Sequence, residues 1–291
     1  MDNPWLERRL LNFAHQGGAR EAPSSTMFAF TEAVAAGAHA LEIDVHATAD
    51  GHLVVCHDAT IGRTTGAEGA IAAMTLGQLR DLDNAYWWVP GEVVAPGREP
   101  SAYPHRGRGP SDPAFTVATL DEVLAAFPAT LLNIDIKQTD PDVAPYEAAL
   151  AGLLHDHGRG ADLIVSSFHD RALAAFREAA PEIPTSLSPG ETTAFWLGSR
   201  SGQPAAPVTG PVALQVPSTF EGITVVDEPL VAAAHRAGLA VHVWTVDDEG
   251  EMEELAALGV DGIMTDRPRL LARVLSRLGM AWRPPPPGAG G

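Results

Sequence analysis

Cysteine, basic residues and long apolar runs are all scarce in this sequence of 291 residues. The single cysteine, Cys56, cannot form an intrachain disulfide, and it cannot make a cysteine-based zinc site without other ligands. Lysine and arginine number 19 against 37 aspartate and glutamate residues, so the formal net charge is −18 and nucleic acid is not an expected partner. No apolar run reaches the roughly 18 residues of a membrane span, and the amino terminus lacks the apolar stretch of a signal peptide. We therefore expect a cytoplasmic protein that does not insert stably into a membrane.

The fold class follows from a repeating pattern along the chain. Short apolar or β-branched runs alternate with segments of helical spacing, which predicts an α/β protein with a mostly parallel sheet. Thr119 and Glu122 match a helix capping box in one of these segments. Eight candidate strands, the number that closes a (β/α)8 TIM barrel, cover residues 11–14, 40–46, 131–137, 163–168, 183–188, 212–216, 241–246 and 262–265. The sequence thus predicts one barrel domain over residues 1–282 and a disordered tail of proline and glycine at 283–291.

Two segments interrupt the alternation of strands and helices. Residues 53–57 have a strand pattern but follow the preceding strand too closely for a parallel crossover, which needs about a dozen residues. We therefore predict an antiparallel hairpin that turns at Asp50 and Gly51 and brings His57 back to the mouth of the barrel. Residues 86–115 are rich in proline, glycine and arginine without a clear period, which is typical of a functional or disordered loop insertion.

Polar and apolar side chains alternate along the candidate strand that holds Glu42, Asp44 and His46. Alternate residues of a strand point to the same face, so these three project together while Ile43 and Val45 face the surrounding helices. Two carboxylates that are buried close together repel each other unless a positive charge lies between them. A divalent cation would remove this cost, and a structural ion-pair network with arginine or lysine is the alternative.

A second strand repeats this pattern with Asn133, Asp135 and Lys137 on one face. A third carboxylate and a cationic side chain therefore enter the same end of the barrel interior. A direct ion pair between Asp135 and Lys137 is not expected, because residues two apart on a strand are poorly placed for it. Carboxylate ligands without cysteine predict one hard divalent cation, Mg²⁺ or Ca²⁺, held by Glu42, Asp44 and Asp135.

Two of the histidines follow candidate strands at the same end of the predicted barrel. His15 ends the first strand and is followed by Gln16, Gly17 and Gly18, a turn that allows close approach of the backbone to a ligand. Catalytic groups of TIM barrels lie at the carboxyl ends of the strands, and imidazole suits general acid and base catalysis near neutral pH. We therefore predict that His15 and His57 transfer protons in catalysis; an ordinary packing role is the alternative for either histidine alone.

The chain carries short motifs in a fixed order that includes His15-Gln16-Gly17-Gly18, Glu42-Ile43-Asp44-Val45, Thr48-Ala49-Asp50-Gly51, His57-Asp58, residues 133–137, Ser167-Phe168, Trp244-Thr245-Val246 and residues 261–268. Their order and spacing resemble the glycerophosphodiester phosphodiesterase family from Asn12 to about Leu275. The resemblance implies a TIM barrel that binds a divalent metal. It implies that Glu42, Asp44 and Asp135 are the metal ligands and that His15 and His57 are the catalytic histidines. It also implies that Lys137 lies near the phosphate and that Trp244 lies against the glycerol or alcohol part of the substrate.

Three positions depart from the family pattern. The family usually has arginine directly after the first histidine, where this chain has the neutral Gln16, and Arg20 is a candidate to supply the missing charge to the phosphate. Ser24 and Ser25 replace a usual glutamate and asparagine. The family more often has glutamate where Asp135 stands, so the shorter side chain draws the metal toward its strand or binds it through water.

The family also implies that the insertion at 86–115 overlies the barrel mouth. The candidates for selecting the leaving alcohol are then its aromatic and basic side chains, namely Trp87, Trp88, Arg98, His105, Arg106 and Arg108. The alternative is that the insertion is an ordinary solvated loop. Asp266 is expected to cap a helix rather than to act in catalysis.

The predicted function is metal-dependent hydrolysis of small-molecule glycerophosphodiesters to glycerol 3-phosphate and an alcohol. One alternative is a lysophospholipase D or sphingomyelinase D-like lipid phosphodiesterase, and another is a catalytically weak phosphodiester-binding protein.

Overall fold

Strands and helices alternate along the chain, as the sequence predicts. The structure is a computed structural model that describes residues 3–201, 210–280 and 282, so the predicted tail at 283–291 lies outside the described residues. The strands are β1 (Leu11–His15), β2 (Ala40–Ala47), β3 (Leu53–Val55), β4 (Leu131–Ile136), β5 (Leu163–Ser167), β6 (Ala213–Pro217), β7 (Thr219–Phe220), β8 (Ile223–Thr224), β9 (Ala240–Trp244) and β10 (Gly262–Thr265). The helices are α1 (Pro4–Glu7), α2 (Met27–Ala35), α3 (Gly62–Thr65), α4 (Leu76–Arg80), α5 (Leu120–Ala126), α6 (Glu147–Asp156), α7 (Asp170–Ala179), α8 (Pro189–Ser199), α9 (Glu228–Arg236), α10 (Glu249–Leu258) and α11 (Pro268–Leu278). Short 3-10 turns occur at Ile71–Ala73, Pro100–Ala102 and Pro113–Phe115.

A parallel sheet surrounds the barrel interior. Within the described residues, its strands follow the order β5, β4, β2, β1, β10, β9 and β6. Residues 183–188 lie between β5 and β6 and pair with each of them through one isolated parallel bridge. The sheet therefore closes, and the predicted (β/α)8 barrel is confirmed. The prediction of a regular strand at 183–188 is wrong, and a physical reason is that Pro184 has no amide hydrogen to donate to a ladder.

The outer helices have the ends that their sequences indicate. At the start of α5, Thr119 and Glu122 form the predicted capping box, in which each side chain bonds to the backbone of the other residue. Helix α10 ends at Gly259, whose φ of +91° is in the left-handed region that favours glycine. In the part of the chain that the structure describes, no helix is long and apolar enough to cross a membrane.

Helix α1 closes the amino-terminal end of the barrel. Trp5 of this helix is fully buried and stacks on Phe13, with ring centroids 6.4 Å apart, beside the buried ring of His242. Asn3 caps α1 and also donates hydrogen bonds to backbone carbonyl groups just before β6 and β9. The other end of the barrel, where the strands have their carboxyl ends, is left for ligands.

The predicted antiparallel hairpin is confirmed. Strands β2 and β3 pair in antiparallel register, with His46 opposite Val54. The turn contains Gly51 at a φ of +82°, a conformation that glycine adopts without strain. After the hairpin the Cys56 amide donates to the Asp44 carbonyl, so the next residue, His57, reaches the carboxyl end of the barrel.

We expect Gly262→Ala to lower the free energy of unfolding by about 1–3 kcal/mol, because overpacking of a close-packed interior forces neighbouring side chains to move. A Cβ atom at this position would lie 2.6 Å from Phe13 Cε2 and 2.9 Å from His242 Cδ2. Urea unfolding followed by circular dichroism measures the change. The matched control is Gly152→Ala in the exposed face of α6, where a Cβ atom meets nothing within 4 Å and the better helix propensity of alanine should raise stability. Equal stability of the two variants would contradict this account of the barrel interior.

Candidate active site

A pocket of about 560 Å³ opens at the carboxyl ends of the barrel strands. Its lining includes most of the site residues that the sequence singles out, namely His15, Glu42, His57, Asp135, Lys137 and Trp244. Asp44 and Gln16 are buried next to these residues and contact them directly. The parallel barrel explains this convergence, because it directs every strand's carboxyl end to the same face.

An acidic cluster lies at the floor of the pocket. Asp44 of β2 and Asp135 of β4 are direct register partners on neighbouring parallel strands. Lys137 Nζ lies between them, 2.8 Å from Asp44 Oδ1 and 2.9 Å from Asp135 Oδ2. The expectation that Asp135 and Lys137 would not pair directly is therefore wrong. Strand β4 ends at Ile136, and from the next position the long Lys137 side chain reaches the two carboxylates.

The single ammonium group of Lys137 leaves carboxylate oxygens of this acidic cluster without a partner. Asp44 Oδ2 and Asp135 Oδ1 are buried and have no hydrogen-bond partner. Burial and the nearby charge of Asp44 raise the pKa of Glu42 far above its usual value, and burial also raises the pKa of Asp135. Among the described residues, no three His, Cys, Asp or Glu side chains are arranged as a metal site. The cluster nevertheless has buried carboxylate oxygens in excess of its internal cation, which suits a hard divalent ion.

His15 is held by a carboxylate from the neighbouring strand. Its Nδ1 lies 2.7 Å from Asp266 Oδ1, and its Nε2 lies 3.9 Å from Glu42 Oε2. Burial lowers the pKa of His15, but the hydrogen bond to Asp266 and the charges of Glu42 and Asp44 outweigh burial and raise the pKa to about 9. The Asp266 contact fixes the ring, and an imidazole held at Nδ1 can exchange a proton at Nε2.

His57 has a corresponding carboxylate partner. Its Nδ1 lies 2.6 Å from Asp58 Oδ1, and Arg63 Nε donates to the other oxygen of the same carboxylate at 2.7 Å. These contacts, led by the His57 hydrogen bond, lower the pKa of Asp58 to about 2. The His15 and His57 rings are 6.1 Å apart between centroids and nearly perpendicular. Two imidazoles with separate carboxylate partners thus face one pocket.

Gln16 connects the two histidine units. The side-chain nitrogen of Gln16, Nε2, lies 3.1 Å from His15 Nε2, and its side-chain oxygen, Oε1, accepts a hydrogen bond of 3.4 Å from Arg63 Nη2. Gln16 has a positive φ of 53°, which is uncommon for a residue with a side chain. Arg63 therefore brings a guanidinium group close to the position where the family usually has arginine.

Arg20 and the insertion contact each other rather than the pocket. Arg20 Nε donates to Asp247 Oδ2 at 2.8 Å, and its Nη1 donates to the Gly91 carbonyl at 3.1 Å. Within the insertion, Arg106 lies 3.5 Å from the ring centroid of Tyr103, as the side chains pack on one another. In the described part of the chain, the pocket lining includes neither Arg20 nor any of the insertion residues Trp87, Trp88, Arg98, His105, Arg106 and Arg108. These positions give no support to a role in phosphate binding for Arg20 or in alcohol selection for the insertion.

Trp244 forms an aromatic corner with Phe168 at the edge of the pocket. The two rings meet edge to face, with centroids 5.5 Å apart. Lys137 Nζ lies 5.6 Å from the Phe168 ring centroid, within the range of a cation–π contact. The aromatic corner therefore adjoins the acidic cluster.

Sequence reasoning missed the role of Asp266. The expected helix cap is wrong, because the residue before α11 is Arg267, which makes no side-chain cap, and Asp266 instead accepts from His15. The predicted fold could have indicated this contact, because the first and last strands of a closed barrel are neighbours. Ala14 of β1 pairs with Thr265 of β10, so the residues that follow them, His15 and Asp266, lie side by side.

Comparison with known proteins shows the family of this chain. Residues 15–270 match the model of the glycerophosphoryl diester phosphodiesterase family. A glycerophosphodiester phosphodiesterase from Caldanaerobacter subterraneus subsp. tengcongensis is 29% identical over 93% of this chain and 100% of its own length. The crystal structure of a glycerophosphodiester phosphodiesterase from Agrobacterium tumefaciens str. C58 has a TM-score of 0.67 and 25% identity, with 91% of this chain and 99% of that chain covered. An Oleispira antarctica phosphodiesterase, solved in complex with the product sn-glycerol-3-phosphate, shares the fold with a TM-score of 0.67 and 22% identity over 92% of this chain and 96% of that chain.

The barrel and its similarities define a TIM-barrel hydrolase that acts on phosphoric diesters. The chain belongs to the glycerophosphoryl diester phosphodiesterase family, whose model matches it from His15 to Leu270 in the first turn of α11. It is an enzyme, a glycerophosphodiester phosphodiesterase.

We expect Asp266→Asn to lower the pKa of His15 from about 9 toward the usual histidine value of 6.5, because the substitution removes the carboxylate that favours the charged ring. In the folded protein this raised pKa adds stability below pH 6.5, and the contribution is lost as the pH rises through about 9. NMR titration of the imidazole protons in metal-free protein measures the pKa. Asp58→Asn is the matched control, because Asp58 contacts His57 and not His15. An unchanged His15 midpoint in Asp266→Asn would contradict the assigned contact.

Proposed function

We propose that this enzyme hydrolyses glycerophosphodiesters to glycerol 3-phosphate and an alcohol in a metal-dependent reaction, with His15 and His57 as general acid and base. The observation that carries the proposal is the pair of imidazole rings, 6.1 Å apart, that line one pocket with a carboxylate on each Nδ1. A reaction at phosphorus needs one proton removed from the nucleophile and one given to the leaving alcohol. Two oriented imidazoles match that need, whereas a protein that only binds phosphodiesters has no use for them.

The carboxylate partners explain how each histidine performs its part. A carboxylate that accepts from Nδ1–H leaves Nε2 as the atom that exchanges a proton with the substrate. Asp266 does this for His15, and Asp58 does it for His57. Because Arg63 shares the Asp58 carboxylate, the two histidines have different electrostatic surroundings, which suits different roles for an acid and a base.

In this proposal Glu42, Asp44 and Asp135 would hold one divalent cation, Mg²⁺ or Ca²⁺. The support is the chemistry of the donors: they are buried carboxylate oxygens without partners, and burial together with the charge of Asp44 raises the pKa of Glu42. When bound, such an ion supplies positive charge that stabilises a phosphoryl transition state. Lys137 lines the same floor and adds a second positive charge for the phosphate. Trp244 provides a flat apolar surface for the glycerol part.

Phosphorus NMR of glycerophosphocholine hydrolysis, with and without EDTA, tests this function. We expect glycerol 3-phosphate and choline as products, loss of turnover in EDTA, and recovery on addition of Mg²⁺ or Ca²⁺. We expect Asp135→Asn to raise the metal concentration needed for half-maximal activity by about tenfold or more, because it removes a charged ligand. Full turnover after removal of every divalent ion would refute the metal dependence, and tight binding of the diester without turnover would favour a binding protein.

We expect His15→Asn and His57→Asn each to lower kcat by about 10²–10⁴-fold, the usual contribution of a positioned acid or base. His52→Asn is the matched control, because His52 lies exposed in the hairpin turn and is not among the residues that line the pocket. Steady-state kinetics with a saturating metal concentration measures kcat, and thermal unfolding verifies that each variant is folded. A folded His57→Asn variant with the kcat of the wild type would remove His57 from the mechanism.

A further inference from the structure

The connection that carries Asp266 is short and lies between two regular elements. It joins β10, which ends at Thr265, to α11, which begins at Pro268. The residue before α11, Arg267, makes no side-chain cap hydrogen bond. Backbone groups outside strands and helices need partners from other parts of the chain. The partners of this connection matter for the site, because the Asp266 carboxylate lies 2.7 Å from the His15 ring.

Asp247 holds this connection from the neighbouring strand. It follows β9, which ends at Trp244 and pairs with β10. Asp247 Oδ1 accepts a hydrogen bond of 2.8 Å from the Asp266 amide and another of 3.0 Å from the Thr265 hydroxyl group. The Thr265 hydroxyl oxygen in turn accepts from the Arg267 amide at 3.0 Å. One carboxylate oxygen therefore holds two consecutive residues, and the second of them is Asp266.

Arg20 completes this arrangement and joins it to the insertion. Its backbone amide donates to the Asp266 carbonyl at 3.1 Å, and its Nε donates to the other carboxylate oxygen of Asp247 at 2.8 Å. Both backbone groups of Asp266 are thus bonded, one to Asp247 and one to Arg20. The Arg20 carbonyl also accepts from the Gly91 amide at 2.8 Å, and Arg20 Nη1 donates to the Gly91 carbonyl. Arg20 therefore lies between the insertion and the residue that contacts the imidazole.

The two histidines of the pocket are supported in different ways. Arg63 donates directly to the carboxylate partner of His57. On the side of His15, arginine donates to Asp247, and Asp247 bonds to the backbone of Asp266 rather than to its carboxylate. A hydrogen bond to the backbone sets where the carboxylate lies and adds no charge to it. The arrangement around His15 therefore acts through position.

We propose that Asp247 and Arg20 are positioning residues, which hold the Asp266 carboxylate at His15. The inference rests on the proposed role of His15 as a general acid or base. In the part of the pocket lining that the structure describes, neither Asp247 nor Arg20 occurs, so their effect on the reaction is indirect. A displaced carboxylate leaves the His15 ring free to turn, and a small misplacement of a reacting group costs up to about 10²-fold in rate.

Asp247→Ala tests the hold on Asp266. Steady-state hydrolysis of glycerophosphocholine with saturating metal gives kcat and KM. We expect kcat to fall by about tenfold or more and KM to stay within about twofold, because proton transfer is disturbed while the groups that bind substrate are unchanged. Asp248→Ala is the matched control: it removes an exposed carboxylate that caps α10 through the Glu251 amide and leaves the Asp266 amide with its partner. Equal falls in both variants would overturn the inference.

Asp247→Asn separates positioning from a loss of folding. The asparagine oxygen can still accept from the Asp266 amide and the Thr265 hydroxyl group, although the amide group cannot accept from Arg20 as a carboxylate does. We expect kcat of this variant to exceed that of Asp247→Ala by at least about fivefold, with thermal unfolding to verify that both are folded. A kcat no higher than that of the alanine variant would contradict the role of the Asp266 amide bond.

A double-mutant cycle determines whether Asp247 acts through Asp266. Asp266→Ala removes the carboxylate that contacts His15 and keeps the backbone groups that Asp247 and Arg20 hold. We expect Asp266→Ala itself to lower kcat, and Asp247→Ala to lower it by less than about twofold in that background, because residues that act through one contact are not additive. A full further fall in the double variant would show that Asp247 acts independently, and an unchanged kcat in Asp266→Ala would show that there is no contact to maintain; either result would overturn the inference.

Arg20→Leu distinguishes positioning from direct contact with the phosphate. Positioning predicts that kcat falls by about threefold or more with little change in KM, whereas a phosphate ligand predicts a higher KM at unchanged kcat. Arg269→Leu is the matched control, because it removes another solvent-accessible arginine that forms an ion pair, in this case with Glu32. A rise in KM alone, or a fall in kcat equal to that of the control, would remove Arg20 from the arrangement.

The inference and the proposed function fail in distinguishable ways. If a folded His15→Asn variant has the kcat of the wild type, the proposed role of His15 fails, and the inference about its positioning fails with it. If His15→Asn is impaired while folded Asp247→Ala keeps the kcat of the wild type, the proposed function holds and only the positioning role is excluded.

Discussion

The repulsion among buried carboxylates at one end of the barrel is the constraint on which the site depends. Asp44 and Asp135 are register partners on adjacent strands, and Glu42 projects from the same face of β2. Two like charges about 4 Å apart repel by about 4 kcal/mol at an effective dielectric constant of 20, a large fraction of the about 5–15 kcal/mol by which a domain is stable. Lys137 offsets part of this cost and leaves carboxylate oxygens without partners. These oxygens without partners are the reason for proposing a cation at this cluster.

The barrel separates the chemistry of the pocket from its apolar contacts. The carboxylates and His15 lie on β1, β2 and β4, and His57 follows β3, so the hydrogen-bonded sheet sets their positions. The exposed aromatic and aliphatic side chains come from segments after β5 and β6, where the chain can vary without disturbing the strands.

Most of the fold could be predicted because its signals are local. Strand alternation, helical spacing and the Thr119 capping box each depend on residues within one turn or one strand. The hairpin was predictable because the connection between its two strands is too short for a parallel crossover. The segment at 183–188 shows the limit of such patterns: its residues suit a strand, but only the backbone pairing shows that the ladder is reduced to isolated bridges.

By itself, the sequence determined the barrel, the common face of Glu42 and Asp44, and the presence of His15 and His57 at strand ends, because side-chain alternation and element order are properties of the local chain. Tertiary structure decided the pairings. It brought Asp266 to His15, joined Arg63 to Asp58 and Gln16, turned Lys137 between two aspartates, and kept the insertion out of the pocket. Most of these contacts link residues on different elements, and Lys137 lies just after the end of its strand. No local pattern encodes them, since they depend on which elements become neighbours when the barrel closes.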